Sequence, residues 1–170
     1  LIGQICRENN IWFHIDGSIG GVFSIFCNEI KNLEAISTAN SITINPQKVL
    51  GITKTSSLLL VQDINILHQA FHTGLPYLET NEEFINRGEL GVQGSRPAEI
   101  IKLWLGMKFL GISGIEKILN SAIDKRILLE KYLNNKKFDI YSGPLHIISF
   151  IPKNLNNYEL EHWTYNAKNI

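Results

Sequence analysis

The sequence lacks the features that would assign it to several large classes of protein. Its 170 residues include two cysteines, Cys6 and Cys27, which lie far apart and without metal-ligand spacing, so we expect reduced thiols in the cytoplasm and no metal site. Lys and Arg number 16, as do Asp and Glu, and the formal net charge of zero gives no basis for binding nucleic acid or an anionic membrane. No run of about 18 apolar residues predicts a membrane span. The N-terminus also lacks the basic start and long apolar centre of a signal peptide.

The composition that is present is typical of a soluble globular protein. Hydrophobic residues make up 44% of the chain and charged residues 19%, and the length suffices for one domain with a hydrophobic core. The first residue is Leu1 rather than methionine, and the chain opens within an apolar pattern and ends at Ile170 without a turn signal. We therefore expect a segment of a longer protein.

Short apolar segments in the first part of the chain predict an α/β fold. Residues 2–9 have apolar positions at helical spacing. The run 11–15 is short and nearly all apolar, as expected of a strand that is buried on both faces of a sheet. The runs 41–44 and 56–61 predict two further short strands. A helix followed by such strands indicates an α/β fold with a largely parallel sheet.

The rest of the chain predicts a long loop, two helices and the start of a smaller unit. Residues 72–94 have little apolar periodicity and several glycines, which is typical of a surface loop, and long loops are usually functional. Helices are predicted over residues 97–110 and about 113–134, with apolar side chains in the core and Gly111 between them. Two strands and the start of a helix follow. The predicted division is residues 1–112, part of a large domain; 113–135, a connecting helix; and 136–170, the start of a small α+β domain.

Asp16 and Lys48 lie where two of the predicted strands end. Ligands of open α/β sheets bind at the carboxyl ends of strands, so we expect these two side chains to face one ligand. Pyridoxal phosphate requires above all a lysine, which forms a Schiff base, and an anion, which keeps the pyridine nitrogen protonated. Apolar neighbours of Lys48 would promote the neutral form of its amine. Asn45, Ser56 and Ser57 are candidates for holding the phosphate.

Three motifs resemble those of a known family, in the same order and spacing. WFHIDGSIGG, residues 12–21, resembles the W-x-H-V-D-[AG]-[AS]-x-G-G segment of the group II pyridoxal phosphate-dependent amino acid decarboxylases, which include enzymes for glutamate, cysteine sulfinate, diaminobutyrate and aromatic amino acids. ANSITINPQKVLG followed by TSSLLLV resembles the lysine-containing segment of that family, and GVQGSRPAEIIKLWLGMKFLGISGIEK resembles a later segment. The resemblance covers about residues 2–152.

The resemblance implies a fold and the two principal site residues. The fold would be part of the large domain of the fold-type I pyridoxal phosphate enzymes, which is aspartate aminotransferase-like. Lys48 matches the lysine that forms the Schiff base with the cofactor, and Asp16 matches the acid on the pyridine nitrogen.

Further cofactor contacts follow from the same resemblance. His14 matches a family histidine, and it either orients the aspartate two residues later or is a core histidine. Gly17 occupies the small-residue position beside the cofactor ring. Asn45 lies at the place of a phosphate or lysine-loop contact, and Ser57 keeps a hydroxyl group of the third motif.

Tyr77 lies in the predicted loop and matches a family tyrosine that protonates the α-carbon after carbon dioxide leaves. The chain departs from the family pattern at Gln47, where relatives have a histidine. A glutamine cannot titrate near neutrality, so we expect weaker proton transfer beside Lys48.

The resemblance implies an enzyme that removes the α-carboxylate of an amino acid as carbon dioxide and works as a homodimer with its active site at the subunit interface. A segment of this length alone is expected to be inactive. Two alternatives stay open: a truncated or degenerate non-catalytic relative that acts as a dimerisation module, and a same-fold lyase that breaks another carbon–carbon bond. An acidic substrate would require an arginine, for which Arg87 and Arg96 are the loop candidates.

Overall fold

Residues 1–27, 30, 36–53, 56–75, 86–134, 138–153 and 156 are described by a computed structural model. The chain divides into two units, Leu1–Leu119 and Asn120–Ile170. The predicted assignment of domains stays a prediction. Within the residues just given, no helix combines the length and the apolar character that crossing a membrane requires.

The first unit contains a three-stranded sheet in the order β1 (His14–Asp16), β2 (Ser41–Ile44) and β3 (Leu58–Val61). β1 and β2 are parallel, whereas β3 is antiparallel to β2. The expectation of a parallel arrangement is therefore correct for β1 and β2 and wrong for β3. An antiparallel neighbour needs no crossover helix, and the connection from β2 to β3 contains the 3₁₀ turn Pro46–Lys48 instead.

Burial differs between the strands of this sheet. Three of the four residues of the central strand β2 are buried, including Ile42 and Ile44. Both edge strands are more open: His14 and Asp16 are exposed in β1, and Leu59 is 52% exposed in β3. The expectation that the first strand is buried on both faces is therefore wrong, and β3 is also only partly covered. An apolar run predicts a strand, but it does not specify which of its faces the rest of the structure covers.

Short helices flank the sheet. The predicted first helix is confirmed as α1 (Ile2–Glu8), while α2 (Gly20–Phe26) and α3 (Ile64–Phe71) lie in segments for which no helix was predicted. α2 packs on β2 at Gly21, where a Cβ atom would lie 2.9 Å from Cγ1 of Ile44. The glycine that weakens the helical signal in the sequence is thus the residue that lets the helix approach the sheet.

A long helical segment, α4 (Ile100–Asn134), contains a break at Gly111. The backbone there has φ 62° and ψ 176°, a conformation that favours glycine, so the prediction of two helices separated at Gly111 is confirmed. Leu103, Ile115 and Leu119 are buried. The first half was expected to contribute mainly core residues. This is wrong for the side chains that are exposed: Ile100, Ile101, Trp104, Leu105, Met107 and Phe109.

The second unit contains the end of α4 and an antiparallel hairpin of β4 (Phe138–Ser142) and β5 (Ile148–Pro152). The ring of Phe138 meets that of Phe150 edge-on at 5.5 Å between centroids. Ser142 donates a hydrogen bond to Glu130 of the helix at 3.0 Å. The two predicted strands are confirmed, and the helix predicted near the C-terminus lies outside the described residues.

Candidate functional site

The carboxyl ends of β1 and β2 bring Asp16 and Lys48 together. Asp16 is the last residue of β1 and lies opposite Thr43 of β2, and Lys48 ends the 3₁₀ turn that follows β2. Because the two strands are parallel, both side chains lie at the same edge of the sheet. The charge of Lys48 is close enough to contribute to lowering the pKa of Asp16. The structure therefore brings the predicted acid and amine to one edge of the sheet, and their roles toward a cofactor stay predictions.

Asp16 is held in its ionised form by its local turn. The side chain and backbone N–H of Ser18 both hydrogen-bond to the carboxylate, with the N–H at 3.0 Å, and these bonds lower the pKa of Asp16 more than the charges of Lys48 and His14 do. Burial opposes the shift but does not outweigh the other effects. Asp16 thus presents an exposed anion at neutral pH.

The turn that carries Lys48 is fixed by backbone hydrogen bonds. The N–H of Lys48 donates to Asn45 at 3.0 Å, and that of Leu50 donates to Pro46 at 2.9 Å. Pro46 and Leu50 are buried, while Lys48 is exposed. The apolar neighbours Ile42, Ile44 and Leu50 are buried in the core and do not cover the exposed Lys48 side chain.

Asn45 links the loops on either side of the site. Its backbone N–H donates to the carbonyl of Ser18 at 3.2 Å, and its side-chain oxygen accepts the hydroxyl of Ser57 at 2.5 Å. The neighbouring hydroxyl of Ser56 is buried and has no hydrogen-bond partner in the described part of the chain. A buried polar atom without a partner is costly, so Ser56 is a group that a bound ligand could satisfy.

Gln47 makes a contact that its place in the sequence did not reveal. Its side-chain oxygen accepts the backbone N–H of Ser56 at 2.6 Å, and Ser56 is 5% exposed. The residue thus joins the lysine turn to the segment that enters β3. Its sequence position had suggested only the loss of a titratable group.

His14 binds the neighbouring strand. Its Nδ1 pairs with the hydroxyl of Ser41 at 2.7 Å and its Nε2 with that of Thr43 at 3.3 Å, and Trp12 donates to the same Ser41 hydroxyl at 3.0 Å. His14 is exposed, so it is not a core histidine. Its effect on Asp16 is a small electrostatic one. These side-chain bonds span 27 to 29 residues of sequence, so no local pattern could have predicted them.

The remaining predicted residues have different outcomes. Gly17 is buried, and a Cβ atom there would lie 2.9 Å from the carbonyl oxygen of Thr43, so packing against β2 accounts for the glycine. Tyr77 lies outside the described residues. Arg96 donates to the carbonyl of Gln93 at 3.0 Å and lines a cavity with Ser57. Arg87 belongs to a separate 3₁₀ turn, Arg87–Glu89.

The groups at this edge of the sheet fit pyridoxal phosphate. They comprise an exposed lysine amine, an ionised carboxylate, a buried hydroxyl without a partner among the described residues, and a second hydroxyl beside an amide. An amine and an anion are what the cofactor's aldehyde and pyridine nitrogen require, and small hydroxyls suit its phosphate. The site thus has the donor set of a pyridoxal phosphate protein.

Comparison with known proteins gives the family. Residues 1–150 match the pyridoxal-dependent decarboxylase conserved domain. The chain belongs to this family.

Individual relatives agree with this assignment. The chain is 30% identical over 173 aligned residues to the acidic amino acid decarboxylase GADL1 of Xenopus tropicalis, covering 95% of this chain and 34% of that protein. It resembles the crystal structure of mouse CSAD with 27% identity and a TM-score of 0.68, over 88% of this chain and 32% of that one. It also shares its fold with Rhodiola rosea 4-hydroxyphenylacetaldehyde synthase, at 21% identity and a TM-score of 0.81, over 96% of this chain and 34% of that one. The chain spans about a third of the length of the curated relatives it matches.

Proposed function

We propose that this chain is the lysine-containing segment of a pyridoxal phosphate-dependent amino acid α-decarboxylase, which converts an amino acid into an amine and carbon dioxide. One observation carries the proposal. Ionised Asp16 and exposed Lys48 lie at the same edge of the sheet, where the parallel strands β1 and β2 end. Membership of the decarboxylase family supports the reaction type.

Each group at the site has a distinct task in this proposal. Bound pyridoxal phosphate would supply a conjugated ring that accepts the electron pair left at the α-carbon when the carboxylate departs. Lys48 would hold the cofactor through its amine. Asp16 would keep a proton on the pyridine nitrogen, because a nearby anion stabilises the protonated ring. Ser56, Ser57 and Asn45 would hold the phosphate.

The reaction also requires a proton donor. The departing carboxylate leaves as carbon dioxide, and a proton takes its place on the α-carbon, so that an acid must be available above the reacting atom. We assign this role to Tyr77. A Tyr77→Phe variant removes the phenolic proton and keeps the ring, which makes it a direct test of the assignment.

We further propose an acidic amino acid as substrate. Two of the curated relatives are named as an acidic amino acid decarboxylase and a cysteine sulfinic acid decarboxylase. Arg96 supports this choice, since it lines the cavity that includes Ser57 and carries a charge that can pair with a second carboxylate.

A homodimer is part of the same proposal. Six large apolar side chains of the first half of α4 are exposed, and Phe109 is 90% exposed. Contiguous exposed apolar surface is typical of a contact with another polypeptide. We also propose that the C-terminal hairpin begins a small domain and that the protein works in the cytoplasm.

The decisive experiment compares the purified full-length protein that contains this segment with its Lys48→Ala variant. The wild type is incubated with pyridoxal phosphate, reduced with borohydride and digested, and the labelled peptide is identified by mass spectrometry. We expect the label on Lys48, release of carbon dioxide from acidic amino acids, and loss of both in the variant. Lys117→Ala, which changes an exposed lysine of α4, is the matched control and keeps both.

Other outcomes lead to different conclusions. Label at another lysine, or full activity in Lys48→Ala, would contradict the assignment of the site. Label on Lys48 without carbon dioxide release from acidic, basic or aromatic amino acids would support a non-catalytic relative. Release from aromatic amino acids alone would overturn the choice of substrate and leave the reaction intact.

A further inference from the structure

A second cluster of ionisable side chains lies outside the cofactor site. Nδ1 of His72 is 3.1 Å and Nε2 of His68 is 3.7 Å from the same oxygen of Glu89, Oε2. All three potential ligand atoms lie within 4.8 Å of one another. The decarboxylation proposed above uses none of these residues.

The two histidines are brought together by α3. His68 lies in the last turn of the helix and His72 is the residue that follows its end, so the two lie on one side, and their rings stack with centroids 4.9 Å apart. Glu89 comes from the 3₁₀ turn Arg87–Glu89, which begins where Asn86 accepts the N–H of Gly88 at 3.0 Å. The cluster is therefore assembled from two separate elements with fixed local structure.

The carboxylate of Glu89 is oriented by a residue next to the histidines. Its Oε1 accepts the backbone N–H of Thr73 at 3.1 Å and the Thr73 hydroxyl at 2.8 Å. This arrangement leaves Oε2 directed at the two imidazoles. Hydrogen bonds to the second oxygen of a ligating carboxylate are a regular feature of metal sites, because they fix the direction of the first.

Glu89 is also a buried carboxylate that is paired with histidines. Its side chain is 3% exposed, and in the described part of the chain its ion-pair partners are the two imidazoles alone. A buried carboxylate requires a compensating positive charge. Neutral imidazoles supply hydrogen bonds but no charge, so a bound cation would complete the arrangement.

The geometry points to a zinc ion held by His68, His72 and Glu89. Ligands about 2.1 Å from a tetrahedral zinc ion are separated by roughly 3.4 Å, between the two observed distances of 3.1 and 3.7 Å. Two imidazoles and one carboxylate are a ligand set that zinc accepts, with water in the fourth position. The side chains of His68 and His72 are 42% and 40% exposed, so an ion can reach them from solvent.

The competing explanation is a hydrogen-bonded pair without metal, in which a proton lies between His72 and Glu89. The two explanations differ in what they require of His68. A proton shared at 3.1 Å needs only His72, whereas a metal ion needs the Nε2 atom of His68 as well. His68 therefore distinguishes them.

The test is isothermal titration of zinc chloride into the purified protein after treatment with EDTA and without pyridoxal phosphate. We expect one zinc ion per chain and at least roughly tenfold weaker binding in His68→Ala and in His72→Ala, since each loses one of three protein ligands. Both residues are partly exposed, so these variants should keep the fold. Gln69→Ala, at an exposed position of the same helix, is the control and should bind like the wild type.

A second measurement reports the coordination geometry. Cobalt(II) added to the metal-free protein should give the visible absorption of a four-coordinate ion, and His68→Ala should lose it. Glu89→Gln keeps the oxygen that accepts from Thr73 while it removes the charge, and it should weaken zinc binding without unfolding the protein. Absence of zinc binding, or equal affinity in the wild type and His68→Ala, would overturn the proposal in favour of a metal-free pair or of ions bound elsewhere on the surface.

Discussion

The hydrogen bond from Ser56 to Gln47 gives a quantitative prediction about the turn that carries Lys48. Replacing Gln47 with alanine removes the acceptor of a 2.6 Å bond whose donor belongs to a residue that is 5% exposed. An unsatisfied buried donor costs about 1–3 kcal/mol. We therefore expect the free energy of unfolding to fall by about 1–3 kcal/mol.

Urea denaturation of the cofactor-free protein measures this change. With a slope of about 2 kcal/mol per molar urea, the midpoint should fall by roughly 0.5–1.5 M at unchanged slope. Gln62→Ala is the matched control, because Gln62 is exposed and its side chain has no hydrogen bond among the described residues. That variant should remain within about 0.5 kcal/mol of the wild type. An equal midpoint for both variants would refute the view that Gln47 supports the turn.

Gln47→His separates the structural role from proton transfer. An imidazole nitrogen can also accept a hydrogen bond, so this variant should retain part of the stability that alanine loses. It also introduces a group that titrates near pH 6.5. We expect kcat/KM to gain a pH dependence in this range. A flat profile would mean that position 47 takes no part in proton transfer.

Three further predictions concern separate parts of the molecule. Asp16→Asn keeps the shape of the side chain and removes its charge, and the decarboxylation rate should fall by about 100-fold or more. Leu119→Ala empties a fully buried position of α4, and urea denaturation should show a loss of about 2–5 kcal/mol. Two hydrogen bonds from Thr73 lower the pKa of Glu89 to about 2, from an ordinary value of 4.5. The stability from this shift is present above pH 4.5 and is lost as the pH falls towards 2, so denaturation in EDTA should show a weaker acid dependence for Glu89→Gln.

The two site residues that could be predicted from the sequence, Asp16 and Lys48, are those that follow the ends of predicted strands. Short apolar runs locate β1 and β2, and parallel pairing then places Asp16 and Lys48 at one edge of the sheet. Both residues were predicted for this reason, with support from the resemblance to the family. The match to that family over residues 1–150 confirms the resemblance.

The contacts that were missed are made between residues distant in sequence. His14 meets Ser41, and His72 meets Glu89, through tertiary packing that no periodic pattern encodes. The helix α2 was missed for a different reason. Glycine lowers helical propensity, but at Gly21 the close approach to Ile44 outweighs this preference.

The bonds of Trp12 and His14 to β2 have a consequence for ligand affinity. Together with the backbone pairing of β1 and β2, they hold the strand that ends at Asp16 in one conformation before any ligand arrives. Ordering a flexible side chain on binding costs about 0.5–1.5 kcal/mol. Because folding already fixes the position of the Asp16 carboxylate, binding of a ligand avoids much of this entropic cost.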